Sequence, residues 1–170
     1  MTATTERSKI SAPTPDQFEE DANFAAAPDL AYLAGVLIAE DRNRFGFLDQ
    51  VDIAYLWKKK GGKRRGNLTL GMTKKATGDL KYFSGMQIVI WLAADHHGER
   101  TPKQIEATLY HELLHVVPEY DEDTGDVKPK LVGHDFEGFA AEVSRYGEVL
   151  EDVQAIAPAF RQLELFDGER

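Results

Sequence analysis

The stretch Tyr110-His111-Glu112-Leu113-Leu114-His115-Val116 carries the spacing H-E-x-x-H. On a helix, residues four apart leave the same face, so the two imidazoles can close on one metal ion. Glu112 comes off beside that face, where it can act on a water without being a ligand. Upstream, Thr101-Pro102-Lys103-Gln104 reads as a helix start: Thr as cap, Pro in the first turn, Gln three residues after the cap. The pattern predicts a helix from there to Val117, stopped by Pro118. Ile105, Leu109, Leu113 and Val116 form its apolar stripe, and His111 and His115 face another way.

A catalytic zinc takes three protein ligands and leaves a fourth position to water. His134, which opens a later helical pattern, is the natural third ligand, with Asp135, Glu137 and Glu142 as rivals on the same stretch. A longer metzincin pattern would need His at position 121, where Asp121 stands. Three neutral imidazoles around one Zn2+ would make an activated water available near neutral pH, with Glu112 as general base for attack on a peptide carbonyl. His96 and His97 read as loop residues rather than ligands.

The 170 residues contain no cysteine, which excludes disulfides, thiol nucleophiles and Cys-ligated zinc. At 42% hydrophobic the chain suits one domain with its own core. No apolar run approaches the roughly 20 residues that span a bilayer, and Met1 to Pro15 lacks the apolar core of a signal peptide. The expectation is a soluble, cytoplasmic protein without a membrane partner. The net charge of −9 is unevenly spread: Lys58, Lys59, Lys60, Lys63, Arg64, Arg65, Lys74, Lys75 and Lys81 fall in one segment with a single acid, Asp79. That strip suits either a salt-dependent contact with a polyanion or a lysine-guarded sheet edge.

In chain order, residues 1–27 read as a flexible arm, residues 28–157 as the domain and residues 158–170 as a tail. Pro28 with Leu30, Leu33, Ala34, Leu37 and Ile38 predicts a helix to about Arg44. Val51–Trp57 and Asn67–Thr73 read as strands, joined as a hairpin whose tip carries the Lys/Arg run. Met86–Leu92 is apolar nearly throughout, as in a strand buried on both faces. Glu119 to Lys130 predicts a loop or short hairpin. Phe136, Phe139, Ala140, Val143 and Tyr146 predict a second amphipathic helix, broken at Gly147, and a weak final helix covers Leu150 to Ala157. The class is α+β, with a small, mainly antiparallel sheet packed on the H-E-x-x-H helix and its flanking helices.

The stretches Gly62-Lys63-Arg64-Arg65-Gly66-Asn67-Leu68-Thr69-Leu70-Gly71, the apolar strand ending at Asp95, Leu109 to His115, and Gly133-His134-Asp135-Phe136-Glu137-Gly138-Phe139 resemble the putative phage metallopeptidase family. The resemblance runs from about Asp29 to Val149. A Trp common after the strand is replaced around His96-His97, and the aromatic usual after Arg145-Tyr146-Gly147 is missing. That family is in turn similar to SprT-like and Spartan-type zinc proteases, where a third His opens a helix after H-E-x-x-H. The resemblance implies a zincin-like fold, protein or peptide substrates, and DNA as a partner for the basic hairpin. Gln162-Leu163-Glu164-Leu165-Phe166 looks like the peptide by which bacterial proteins dock on the DNA polymerase sliding clamp, with Gln162, Leu163, Leu165 and Phe166 as its contacts. The alternative to an enzyme is a metal-stabilised protein that binds DNA, the clamp or a host defence factor.

Overall fold

The computed structural model describes residue 7 and residues 9–64, 66–134 and 140–147. The chain first lays down strand β1 (Phe24–Ala26), then helix α1 (Pro28–Glu40), a short α2 (Arg42–Phe45) and a 3-10 turn (Gly46–Gln50). Strand β2 (Ile53–Lys58) follows, then the small ribbon β3 (Lys63–Arg64) and β4 (Asn67–Leu68), and strand β5 (Gly71–Lys75). Helix α3 (Gly78–Ser84) leads to β6 (Ile88–Ala93), which runs directly into α4 (Ala94–His97). Helix α5 (Pro102–Leu114), the hairpin β7 (Val116–Tyr120) and β8 (Val127–Leu131), and helix α6 (Ala140–Tyr146) complete the described fold.

The main sheet has the order β1-β2-β6-β5. β6 pairs parallel with β2 and antiparallel with β5, while β1 pairs antiparallel with β2. The class is therefore mixed α+β, with a parallel pair at its centre. This corrects the hairpin expected of Val51–Trp57 and Asn67–Thr73, because β6 lies between β2 and β5. β6 is buried at every residue, and a strand apolar on both faces belongs where both edges are also paired. Ile88, Ile90 and Leu92 join the main core with α1 and α5 residues such as Leu33, Leu37, Leu109 and Leu113. Trp91 is buried outside that cluster, under the Lys58 ammonium at 4.4 Å.

Several expected boundaries shift for local reasons. The first helix stops at Glu40 because Asp41 leaves helical geometry (φ −123, ψ 61). The Asp41 carbonyl then accepts from the N–H groups of Arg44 and Phe45, which turns Phe45 and Leu48 into the core. The arm expected over residues 1–27 is packed where it is described: Ile10 and Phe18 enter the core, and β1 covers the outer edge of β2. The H-E-x-x-H helix ends at Leu114, not Val117. His115 caps it, and the β-branched Val116 and Val117 begin β7 instead. Pro118 sits opposite Pro129 in this two-stranded ribbon, a place where missing N–H groups are tolerated. Gly147, at φ +60, follows the last residue of α6, as its sequence position predicts. Among the described residues no helix is long and apolar enough to cross a membrane.

Candidate metal centre

α5 is built as its start signal predicts. The Thr101 hydroxyl accepts from the Gln104 N–H at 3.3 Å, and the Gln104 side-chain oxygen accepts from the Thr101 N–H at 2.9 Å. Ile105, Leu109 and Leu113 anchor the helix in the core, which aims His111 and His115 to another side. Their rings stand 5.1 Å apart, centroid to centroid. The third imidazole arrives on the irregular segment that follows β8. Val132 donates its N–H to the His115 carbonyl at 2.9 Å, and its carbonyl accepts from His115 Nδ1 at 2.8 Å. This double tie fixes the chain two residues before His134.

The His134 ring lies 4.9 Å from that of His111 and 4.7 Å from that of His115. One ring nitrogen from each of the three lies within 4.8 Å of the others, a group able to hold a metal ion. His111 Nε2 and His134 Nε2 face each other at 3.0 Å. Two imidazole nitrogens on one tetrahedral zinc stand about 3.3 Å apart at ordinary Zn–N lengths. The outer nitrogens support the same fit. His115 Nδ1 is committed to the Val132 carbonyl and His111 Nδ1 to the Glu142 carboxylate at 2.6 Å, which leaves each Nε2 lone pair facing inward. Burial also holds the His115 pKa below its ordinary value, favouring the neutral ring that a metal needs. Donor type, spacing and tautomer thus all suit a divalent ion.

Glu142, a rival third ligand in the sequence, stands behind His111 as its hydrogen-bond acceptor and is 2% exposed. Asp135 and Glu137 lie outside the described residues. Glu112 is 5% exposed, and its Oε2 accepts from the Thr73 hydroxyl at 2.7 Å. Burial pushes its carboxyl up to about 7; the nearby His111 and the Thr73 hydrogen bond pull it back, and Glu142 adds to the rise. β5 passes directly over this side chain: a Cβ on Gly71 would lie 2.7 Å from Glu112 Oε1 and 2.8 Å from Leu92 Cδ2. Gly71 and Thr73 were not singled out in the sequence. A lone glycine inside an alternating strand is the usual signal of such a close approach, and Gly71 carries it.

The other sequence candidates separate in space. His97 is fully buried between the Ala93 carbonyl and Thr108, and the His96 ring and the Asp95 carboxylate fasten Gly62 and Gly61 of the next loop. The lysine strip is split. Lys58 is registered with Ala93 and Lys75 with Ile88, at opposite ends of β6, about 17 Å apart along the strand. Lys58 and Lys59 lie over the Trp91 and Phe18 rings, Lys60 and Lys63 are exposed near β3, and Lys74 and Lys75 are exposed on β5. Arg64 belongs to β3 through its backbone, whereas Arg65 and the clamp-like residues Gln162, Leu163, Leu165 and Phe166 lie outside the described residues.

Fold and site together define a small α+β domain in which three imidazoles able to hold a metal ion converge beside a buried glutamate. The chain belongs to the family described as putative phage metallopeptidase, whose model matches residues 22–161. That membership implies metal-dependent peptidase chemistry on protein or peptide substrates. No curated protein and no solved structure matches the chain.

Proposed function

We propose that the protein is a zinc-dependent endopeptidase with a SprT-like zincin active site, in which His111, His115 and His134 hold one Zn2+ and Glu112 is the general base. The observation that carries this reading is the set of three facing imidazoles, two with their outer nitrogens already bonded to Glu142 and Val132. A bound zinc ion supplies Lewis-acid chemistry, lowering the pKa of water to about 7 and polarising a substrate carbonyl. Glu112 takes the proton of the attacking water and returns it to the leaving nitrogen. The Thr73 hydroxyl holds the carboxylate in place meanwhile. β5 is the edge of the sheet and passes beside Glu112, so an extended peptide paired to it is delivered to the site.

The substrates in this reading are DNA-associated proteins in a phage-infected bacterial cell. The exposed Lys60, Lys63, Lys74 and Lys75 support a nucleic-acid contact made at both ends of the sheet rather than at one hairpin tip. The sequence Gln162-Leu163-Glu164-Leu165-Phe166 supports docking on a bacterial sliding clamp, and a peptide of residues 158–170 should bind the clamp in calorimetry and lose binding with Phe166→Ala. Metal analysis tests the centre: the purified chain should retain one zinc and His134→Ala should not. Cleavage of a DNA-bound protein, with and without DNA, then tests the substrate class. Zinc retention combined with hydrolysis unchanged by Glu112→Gln would overturn the assigned mechanism.

A further inference from the structure

The helix that backs the metal centre is held from its far end. α6 presents Glu142 to His111, and one turn later Arg145 and Tyr146 leave the helix toward α1 and α5. Arg145 donates to Glu40 Oε2, and the Tyr146 hydroxyl donates to Glu106 Oε1 at 3.0 Å. Arg7, far away in sequence, reaches the same two carboxylates. Its Nε donates to Glu106 Oε2 at 2.7 Å, and its two terminal nitrogens donate to Glu40 at 2.5 and 3.3 Å. One guanidinium therefore closes two bridges, Arg7–Glu40–Arg145 and Arg7–Glu106–Tyr146. Aromatic contacts complete the seat: the Tyr146 ring meets Tyr110 edge-on at 5.4 Å, and Arg145 lies over Tyr110 at 5.0 Å.

We propose that Arg7 is a positioning residue of the metal centre, seating α6 through Glu40 and Glu106 and thereby fixing the Glu142–His111 hydrogen bond. The inference rests on the metal-centre reading above. Without Arg7, two carboxylates on neighbouring helices confront a single guanidinium, and Tyr146 donates to a carboxylate that has lost its cation. α6 then sits less firmly, and the carboxylate that sets the His111 tautomer moves with it. A lysine keeps the charge but lacks the planar fork that reaches both acceptors.

The test is zinc affinity of the full chain, measured by competition with a chromophoric chelator, with far-UV circular dichroism to confirm folding. Outer-shell changes at metal sites cost about 10- to 100-fold in affinity. Glu142→Gln is expected in that range, Arg7→Ala at about tenfold, and Arg7→Lys between Arg7→Ala and wild type. In the Glu142→Gln background, Arg7→Ala should add less than about twofold, since coupled positions are non-additive. Arg7→Ala binding as tightly as wild type would overturn the proposal, and so would the same tenfold loss on top of Glu142→Gln, which marks general loosening. If Arg7→Ala does not fold, Glu40→Gln replaces it with the same expectations. A wild-type chain that holds no zinc overturns the metal centre itself, an outcome separate from any result on Arg7.

Discussion

Acidification should weaken this fold through one buried imidazole that is not among the proposed metal ligands. His97 is fully buried, with Nδ1 donating to the Ala93 carbonyl at 2.7 Å. Burial lowers its pKa from 6.5 to about 4; the Ala93 bond opposes that shift, while Arg100 and His96 reinforce it. The unfolded chain therefore binds a proton between those values that the folded chain refuses. Stability from this group is complete above about pH 6.5 and is lost progressively as pH falls toward 4. At about 1.36 kcal/mol per unit the full loss is about 3 kcal/mol, of which about 2 kcal/mol falls between pH 7.5 and pH 5. The assay is urea unfolding of the metal-free chain at both pH values, beside His97→Gln, which does not titrate. Wild type should lose about 2 kcal/mol more than the variant over that interval. Equal losses in the two proteins, or a ring titration midpoint near 6.5 by NMR, would refute the reasoning.

Glu112→Gln should retain zinc and lower hydrolysis by about 10²- to 10⁴-fold in a steady-state cleavage assay. The same variant should stabilise the metal-free chain: Glu112 has its pKa raised from 4.5 to about 7, so ionising it costs stability as pH rises through that window. Urea unfolding at pH 8 should show a gain of up to about 3 kcal/mol, and at pH 4 almost none. Gly71→Ala pushes a methyl to within 2.7 Å of Glu112 Oε1, and the displaced carboxylate should cost about 10- to 100-fold in kcat with zinc content unchanged. Zinc should raise the melting temperature in proportion to the logarithm of its concentration, adding about 2.7 kcal/mol at a hundredfold excess over Kd, and His134→Ala should remove most of that rise in a thermal melt.

The sequence was most legible where the physics is local. Thr101 and Gln104 cap α5 as read, because a capping box needs only four consecutive residues. His111 and His115 share a face because helical geometry fixes that at spacing four. β6 was visible from its unbroken apolar run, but not its place between β2 and β5, which depends on pairings remote in sequence. The lysines also separate along the fold: Lys58 to Arg64 lie at the loop end of the sheet, whereas β5 runs back from that end and carries Lys74 and Lys75 to the other. Spacing also does not distinguish a carboxylate that would touch a metal from one that supports a ligand, which leaves Glu142 a rival to His134 in the sequence, whereas its contact in the structure is His111 Nδ1. The hold of Arg7 on Glu40 and Glu106 has no sequence signature, since it joins residues 33 and 99 positions apart.

Both indoles of the chain sit in the main sheet. Trp57 on β2 donates its N–H to Asp29 at 3.1 to 3.2 Å and meets the His97 ring edge-on at 6.0 Å, and Trp91 lies beneath Lys58. The phenol of Tyr146 on α6 packs edge-on against that of Tyr110 on α5. The molecule thus carries two optical reporters for two regions. Intrinsic emission follows the sheet and is quenched when the neighbouring imidazole takes up a proton, whereas the share of the tyrosine near-UV circular dichroism that Tyr110 and Tyr146 contribute, among six tyrosines, follows the packing behind the histidine cluster. Recording both during removal of a metal by chelation separates loosening of α6 from melting of the core.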